Sequence, residues 1–236
     1  MVNALALATA LAVTAFVPTL QAGDTIPALP LVDQSGHAFS IEQLRGNAVV
    51  LSFIYTRCPD PNMCPLVSSK FARLQAQIGK NPIRLVEITL DPRFDTPRIL
   101  RAYGHAFGAA PGRWTLATGT LSAIDDLATR LGIATHWTTP ATLIHTEAAI
   151  IVDRDGRIAE TIDGTAWTSD QVLALAREAA GIQPSPVARI GVWLTGAIEA
   201  CGGGRGAINS FEGLTLLLLI AGAIGAMMFR ALRRTG

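Results

Sequence analysis

Ala48–Pro65 reads AVVLSFIYTRCPDPNMCP, and its interpretation decides how the rest of the chain must fold. The first eight residues, Ala48–Tyr55, form an apolar run, with Ser52 as its one small polar residue, rich in β-branched and aromatic side chains. That is the pattern of a strand buried on both faces, which requires a sheet covered by helices. Two cysteines follow in a proline-containing loop, and then comes PLVSSKFARLQAQIG. Val67, Phe71, Leu74 and Ile78 recur there at helical spacing, with Pro65 suited to the first helical position and Gly79 to the stop. The spacing therefore predicts strand, loop and helix in that order.

Outward from this unit, Ile83–Leu90 reads as a second strand, and Asp95-Thr96-Pro97 as the cap and first turn of a helix reaching about Phe107. A further helix covers Leu121–Leu131. Glu147–Val152 and Arg157–Thr161 flank Asp153-Arg154-Asp155-Gly156 as an antiparallel hairpin, and Asp170–Ala180 closes with a helix. Strands alternating with helices and finishing in a hairpin make an α/β domain with a central mixed sheet flanked by helices, best matched by thioredoxin-like topology. Asp153, Asp155 and Gly156 resemble the opening of a calcium loop, but the twelfth position is Gly164 instead of Glu, so the turn reading holds. Turn formation and helix capping account for Asp91 and Asp95.

Of the 236 residues, 50% are apolar and only 16% charged, against roughly 25% in ordinary soluble chains. The shortage lies at the ends. Residues 1–23 carry no charge, and the Ala4–Val17 run has the length of a secretory h-region, so residues 1–22 read as a signal peptide. Phe211–Phe229 (FEGLTLLLLIAGAIGAMMF) is followed at once by Arg230, Arg233 and Arg234. Nineteen residues make roughly 28 Å of helix, one hydrocarbon thickness, so residues 211–230 read as a transmembrane anchor. Basic residues at its C-terminal border place the C-terminus in the cytoplasm and everything before the helix outside, in the periplasm of a Gram-negative cell. Residues 182–210, with Pro184, Pro186 and Cys201-Gly202-Gly203-Gly204, read as a linker. Within it, Val187–Ala200 suits either a short interfacial helix carrying Trp193 or an element packed on the domain. The domain itself, 26–181, is close to neutral, which excludes the basic surface that nucleic acid requires.

Chemistry concentrates at Cys58 and Cys64, six positions apart between a buried strand and a helix start. At the positive end of the helix dipole, Cys64 is expected to be the thiol whose pKa falls. Such a pair serves as a structural disulfide, a redox dithiol or a clamp for a soft metal. Two sulfurs suit monovalent copper, whereas structural zinc would need four ligands. Four histidines are available as a third ligand. His37 falls in a turn before the domain, His105 at a helix end and His136 in a loop beside Trp137. His145 alone stands just ahead of the late strand that a thioredoxin-like sheet lays beside the cysteine-bearing one. Cys201 is the odd thiol, and no CxxCH, GxSxG, P-loop or HExxH motif occurs.

Three ordered segments, GNAVVLSFIYTRCPDPNMCP, ITLDPRFDTP and IHTEAAIIVDRDGRI, closely resemble the SCO/SenC family of membrane-anchored thioredoxin-like proteins that serve copper assembly of cytochrome c oxidase. The resemblance runs from about Ile26 to Gly181. It implies copper, Cu(I) or Cu(II), held by Cys58, Cys64 and His145. It also implies, as partner, the oxidase subunit carrying the binuclear copper site or another copper acceptor, served by copper delivery or by thiol reduction. The family spacing is CxxxC with an N-terminal anchor, whereas here five residues separate the cysteines and the anchor is C-terminal. The expected function is thus a copper chaperone tethered to the inner membrane. The alternative is a periplasmic thiol-disulfide oxidoreductase or peroxidase with Cys58 and Cys64 as its catalytic redox pair.

Overall fold

The computed structural model describes residues 18–182; most of the leader segment, the linker, Cys201 and the anchor segment lie outside the described residues. Among the described residues, no helix is long and apolar enough to cross a membrane. The chain enters along the domain surface, where Leu20 N donates to Arg130 O (2.6 Å) and Gly23 N to Ile158 O (2.8 Å). It then forms a small hairpin, β1 (Leu31–Asp33) and β2 (Ala38–Phe39). Next comes β3 (Ala48–Ile54), buried at all seven positions. Helix α1 (Cys64–Ile78) returns the chain to β4 (Ile83–Thr89), and α2 (Pro97–Ala106) returns it to β5 (Trp114–Thr118). After α3 (Leu121–Arg130) a two-stranded ribbon forms from β6 (Thr135–Thr139) and β7 (Thr142–His145). Finally β8 (Ala148–Val152), β9 (Ile158–Asp163) and α4 (Ser169–Ala179) complete the domain.

The main sheet has the order β2-β1-β5-β4-β3-β8-β9. β3, β4 and β5 run parallel, while β8 lies antiparallel to β3 with Val49↔Val152, Val50↔Ile151 and Leu51↔Ile150 in register. This is the expected thioredoxin-like arrangement, with the fully buried β3 inside the sheet and both of its faces covered. The Phe71 ring of α1 meets Trp114 of β5 at 5.7 Å and Trp167 at 6.4 Å. Leu116, two residues beyond Trp114 and so on the same face, meets α2 at Gly104, where a Cβ would lie 2.8 Å from Leu116 Cδ1. Glycine there lets the helix sit directly on the strand.

The principal strand and all four helices fall where the sequence places them, within a residue or two at their ends. Five strands go beyond the sequence expectations, β1, β2, β5, β6 and β7. The β1–β2 hairpin containing the His37 turn is part of the sheet, because β1 pairs with β5 through Val32↔Thr118 and Asp33↔Ala117. β5 itself carries no independent signal in WTLAT. His136 sits in β6 and not in a loop, since His136 pairs with Ile144 across the ribbon. Every residue of β6 is exposed, so no apolar alternation marks it in the sequence.

Polar groups are also enclosed in the core. Glu87, in the middle of β4, is fully buried; Ser68 Oγ donates to it at 2.9 Å and Trp114 Nε1 at 3.2 Å. Burial pushes its carboxyl up to about 8 in spite of these donors. The native state therefore holds a proton that the unfolded chain releases above its ordinary carboxyl pKa. Stability from this group is full at acid pH and is lost as pH rises towards 8. In chemical denaturation between pH 5 and 9, wild type is expected to lose more stability with rising pH than Glu87→Gln; parallel profiles would refute the assignment.

Candidate metal centre

The cysteine loop leaves the C-terminal end of β3, and the loop after β4 holds it in place. Asp95, fully buried, accepts from Thr56 N (3.0 Å), from the Thr56 hydroxyl and from Thr89 Oγ1 (2.5 Å). Asp91 pairs with Arg57, Nη2 to Oδ2 at 2.5 Å, and the Arg57 guanidinium lies 4.0 Å above the Phe94 ring. The expected capping role of Asp95 is corrected here. Thr96 is the residue preceding α2, without a side-chain cap, and the Asp95 carboxylate instead ties the start of the cysteine loop to the end of β4. DPRFDTP is thus a clamp on Thr56 and Arg57, immediately before Cys58.

Cys58 is half-buried, whereas Cys64 opens α1 and is fully enclosed; both are free thiols in this structure. Cys58 lines a pocket of about 220 Å³ together with Tyr55, Met63, Leu143 and His145. The pairing of β8 with β3 brings the preceding β7 across this loop, and Tyr55 OH donates to Leu143 O at 2.9 Å. His145, last residue of β7, packs against the Tyr55 ring edge-on at 5.7 Å. Its Nδ1 lies 3.0 Å from Thr146 O, which can only accept, so Nδ1 carries the proton and Nε2 presents its lone pair. That lone pair faces Cys64 Sγ at 3.3 Å. Burial holds the imidazole below its ordinary pKa, in the neutral form suited to ligation.

Glu147, expected only as the start of a strand, is a further residue of this site. It follows His145 by two, so the extended chain turns both side chains to one side. Its side chain is only 2% exposed, and Oε1 lies 3.6 Å from His145 Nε2. One donor atom from each of Cys64, His145 and Glu147 falls within 4.8 Å of the others. Cys58 is outside this triplet, on the wall of the pocket. Burial, with Glu87 and Cys58 nearby, pushes the Glu147 carboxyl up to about 8. The available signal was a single acid at the entrance of the apolar strand AAIIV. The other histidines lie elsewhere: His37 after β1, His105 in the last turn of α2 and His136 on the exposed ribbon.

The expectation that Cys64 is the acidic thiol is reversed. Hydrogen bonding with Cys64 lowers Cys58 to about 6. The same interaction, burial and the Glu147 charge push Cys64 up, overcoming the helix terminus. The pair shares one proton, held on the enclosed sulfur. Cys58 is therefore a thiolate above about pH 6 and loses nucleophilicity as pH falls below it. With iodoacetamide at pH 7, mass spectrometry is expected to find Cys58 alkylated well before Cys64, with a rate falling below pH 6. Faster labelling of Cys64 would reverse the assignment.

Three comparisons bear on this geometry. A candidate copper-binding protein of Stutzerimonas stutzeri is 36% identical over 137 residues, which is 57% of this chain and 62% of that protein, less than two thirds of its length. The structure of BsSco, described as a member of the Sco family of cytochrome c oxidase assembly proteins with a disulfide switch, superposes with a TM-score of 0.60. It is 21% identical, covering 70% of this chain and 99% of that one. Bradyrhizobium japonicum ScoI with copper bound gives a TM-score of 0.57 at 24% identity, covering 66% and 99%. These two structures share the fold. The SCO1/SenC family model matches residues 18–180, which take in the strand, both cysteines, the DPRFDTP clamp and the histidine, and the chain belongs to the SCO1/SenC family.

Proposed function

We propose that this protein binds copper through Cys58, Cys64 and His145 and passes it to an acceptor, the copper-carrying subunit of cytochrome c oxidase or another copper protein. The observation that carries this reading is the meeting of Cys64 Sγ and His145 Nε2 at 3.3 Å beside a pocket lined by Cys58. The copper-binding relative and the copper-bound neighbour support it. Two sulfurs satisfy Cu(I), the one proton the pair shares leaving Cys64 as the ion enters, and the imidazole matters more for Cu(II), which favours nitrogen. Delivery proceeds by ligand exchange, an acceptor thiolate first displacing the half-exposed Cys58 and then Cys64. Copper is cargo here, and no small substrate is turned over.

One observation favours a second activity of the same pair. Cys58 is accessible and acidic while Cys64 is enclosed beside it, the division between attacking and resolving thiols. Cys58 would attack a disulfide of the acceptor; Cys64 would then displace the mixed disulfide, leaving the acceptor reduced and this pair oxidised. The signal segment 1–22 and the anchor segment 211–230 support a setting in the inner membrane, domain in the periplasm and C-terminus in the cytoplasm.

Two experiments test these readings. The reduced full-length chain, equilibrated with copper and desalted, is expected to retain about one ion per chain. Cys64→Ser is expected to retain almost none, and His145→Ala to lose Cu(II) far more than Cu(I). Retention by wild type no greater than by the double-cysteine variant would end the copper proposal. For topology, alkaline phosphatase, which needs an oxidising compartment for its disulfides, is expected to be active when fused after residue 182 and inactive when fused after Gly236. The opposite pattern would invert the orientation.

A further inference from the structure

Glu147 is an under-satisfied carboxyl in the heart of the domain. Oε1 has no hydrogen-bond partner although it is buried. Oε2 has only a 3.4 Å contact with Ser52 Oγ, and that hydroxyl has one proton, already directed at Ala148 O at 2.7 Å. Among the described residues, the only basic group within ion-pair range is His145 at 3.6 Å. The proton of His145 sits on Nδ1, so Nε2 offers nothing to Oε1. Three lone-pair atoms, Cys64 Sγ, His145 Nε2 and a Glu147 oxygen, thus converge within 4.8 Å in a dry site. Sulfur, nitrogen and oxygen donors brought this close are a set that one cation among them would engage together.

A structural reading of Glu147 does not account for this. A carboxyl kept for the fold is bonded on both oxygens, as Glu87 is by Ser68 and Trp114 two strands away. Glu147 instead points its orphan oxygen at the two atoms already assigned to the metal.

Resting on the copper reading above, we propose that Glu147 is itself a copper ligand, supplying one carboxylate oxygen to Cu(II) beside Cys58, Cys64 and His145. The oxygen makes a two-sulfur, one-nitrogen, one-oxygen donor set. Cu(II) accepts nitrogen and oxygen in a four-ligand tetragonal site, whereas Cu(I) is content with the sulfurs. The donor is therefore selective for oxidation state: it strengthens Cu(II) retention and leaves Cu(I) retention nearly alone. On that account the enclosed half of the site, Cys64, His145 and Glu147, holds Cu(II) while the exposed Cys58 exchanges.

The test compares full-length wild type, Glu147→Gln and Glu147→Leu, each loaded with Cu(II) or Cu(I) and titrated with chelators of known affinity. Both variants are expected to weaken Cu(II) about tenfold or more, a ligand effect at least as large as losses from outer-shell residues, and to change Cu(I) by less than about twofold. Their electron paramagnetic resonance is expected to show altered copper hyperfine splitting. Wild type grown with glutamate labelled with carbon-13 at the side-chain carboxyl supplies a measurement independent of variant folding. Double resonance on its Cu(II) form is expected to reveal a carbon-13 coupling. Copper bound by wild type without that coupling, and with Cu(II) affinity unmoved by either substitution, would overturn the inference and leave the copper reading standing. Failure of wild type to bind copper in either state would overturn both.

Discussion

The pairing of Val49, Val50 and Leu51 with Val152, Ile151 and Ile150 is the constraint from which the chemistry of this protein follows. Six apolar residues, all buried, hold β8 against β3 in the middle of the sheet. A slip of one residue would turn every side chain of β8 to the opposite face, so the burial of both strands fixes the register strongly. With the register fixed, the segment just before β8 must cross the loop just after β3. His145 then meets Cys64 although 81 positions separate them along the chain.

A second set of contacts keeps the cysteine loop from drifting once it leaves the sheet. β3 and β4 run parallel, so their loops emerge on the same edge, the usual position for a ligand site in such sheets. Asp95 and Asp91 reach from the second loop to Thr56 and Arg57 of the first. Both carboxyl groups are nearly inaccessible, and bonds of this kind are strong where water is excluded. The clamp therefore sets where Cys58 begins its turn back towards α1.

Enclosure then divides the labour between two sulfurs. The helix start should favour a thiolate at Cys64, yet desolvation, the neighbouring sulfur and Glu147 together outweigh a terminus effect of roughly 1 kcal/mol. Charge is accommodated where water can reach it, at Cys58. The outcome is an asymmetric pair, one sulfur accessible and acidic, the other dry and beside the imidazole.

Much of this was legible along the chain. AVVLSFIY announces a two-faced strand, 3.6-residue periodicity locates α1, and short motifs mark both cysteines and His145, because these signals are local. β6 left no trace, since an exposed ribbon buries nothing and imposes no alternation. The clamp by Asp95 looked like a cap, because the sequence shows an acid before a helix but not which amide it reaches. Glu147 looked like the polar start of a strand. By itself the amino-acid order determined the elements and the kinds of donor atom available. Which donors share a space, and which thiol carries charge, was decided by tertiary structure, because distance and dielectric belong to the packed site and not to any stretch of chain.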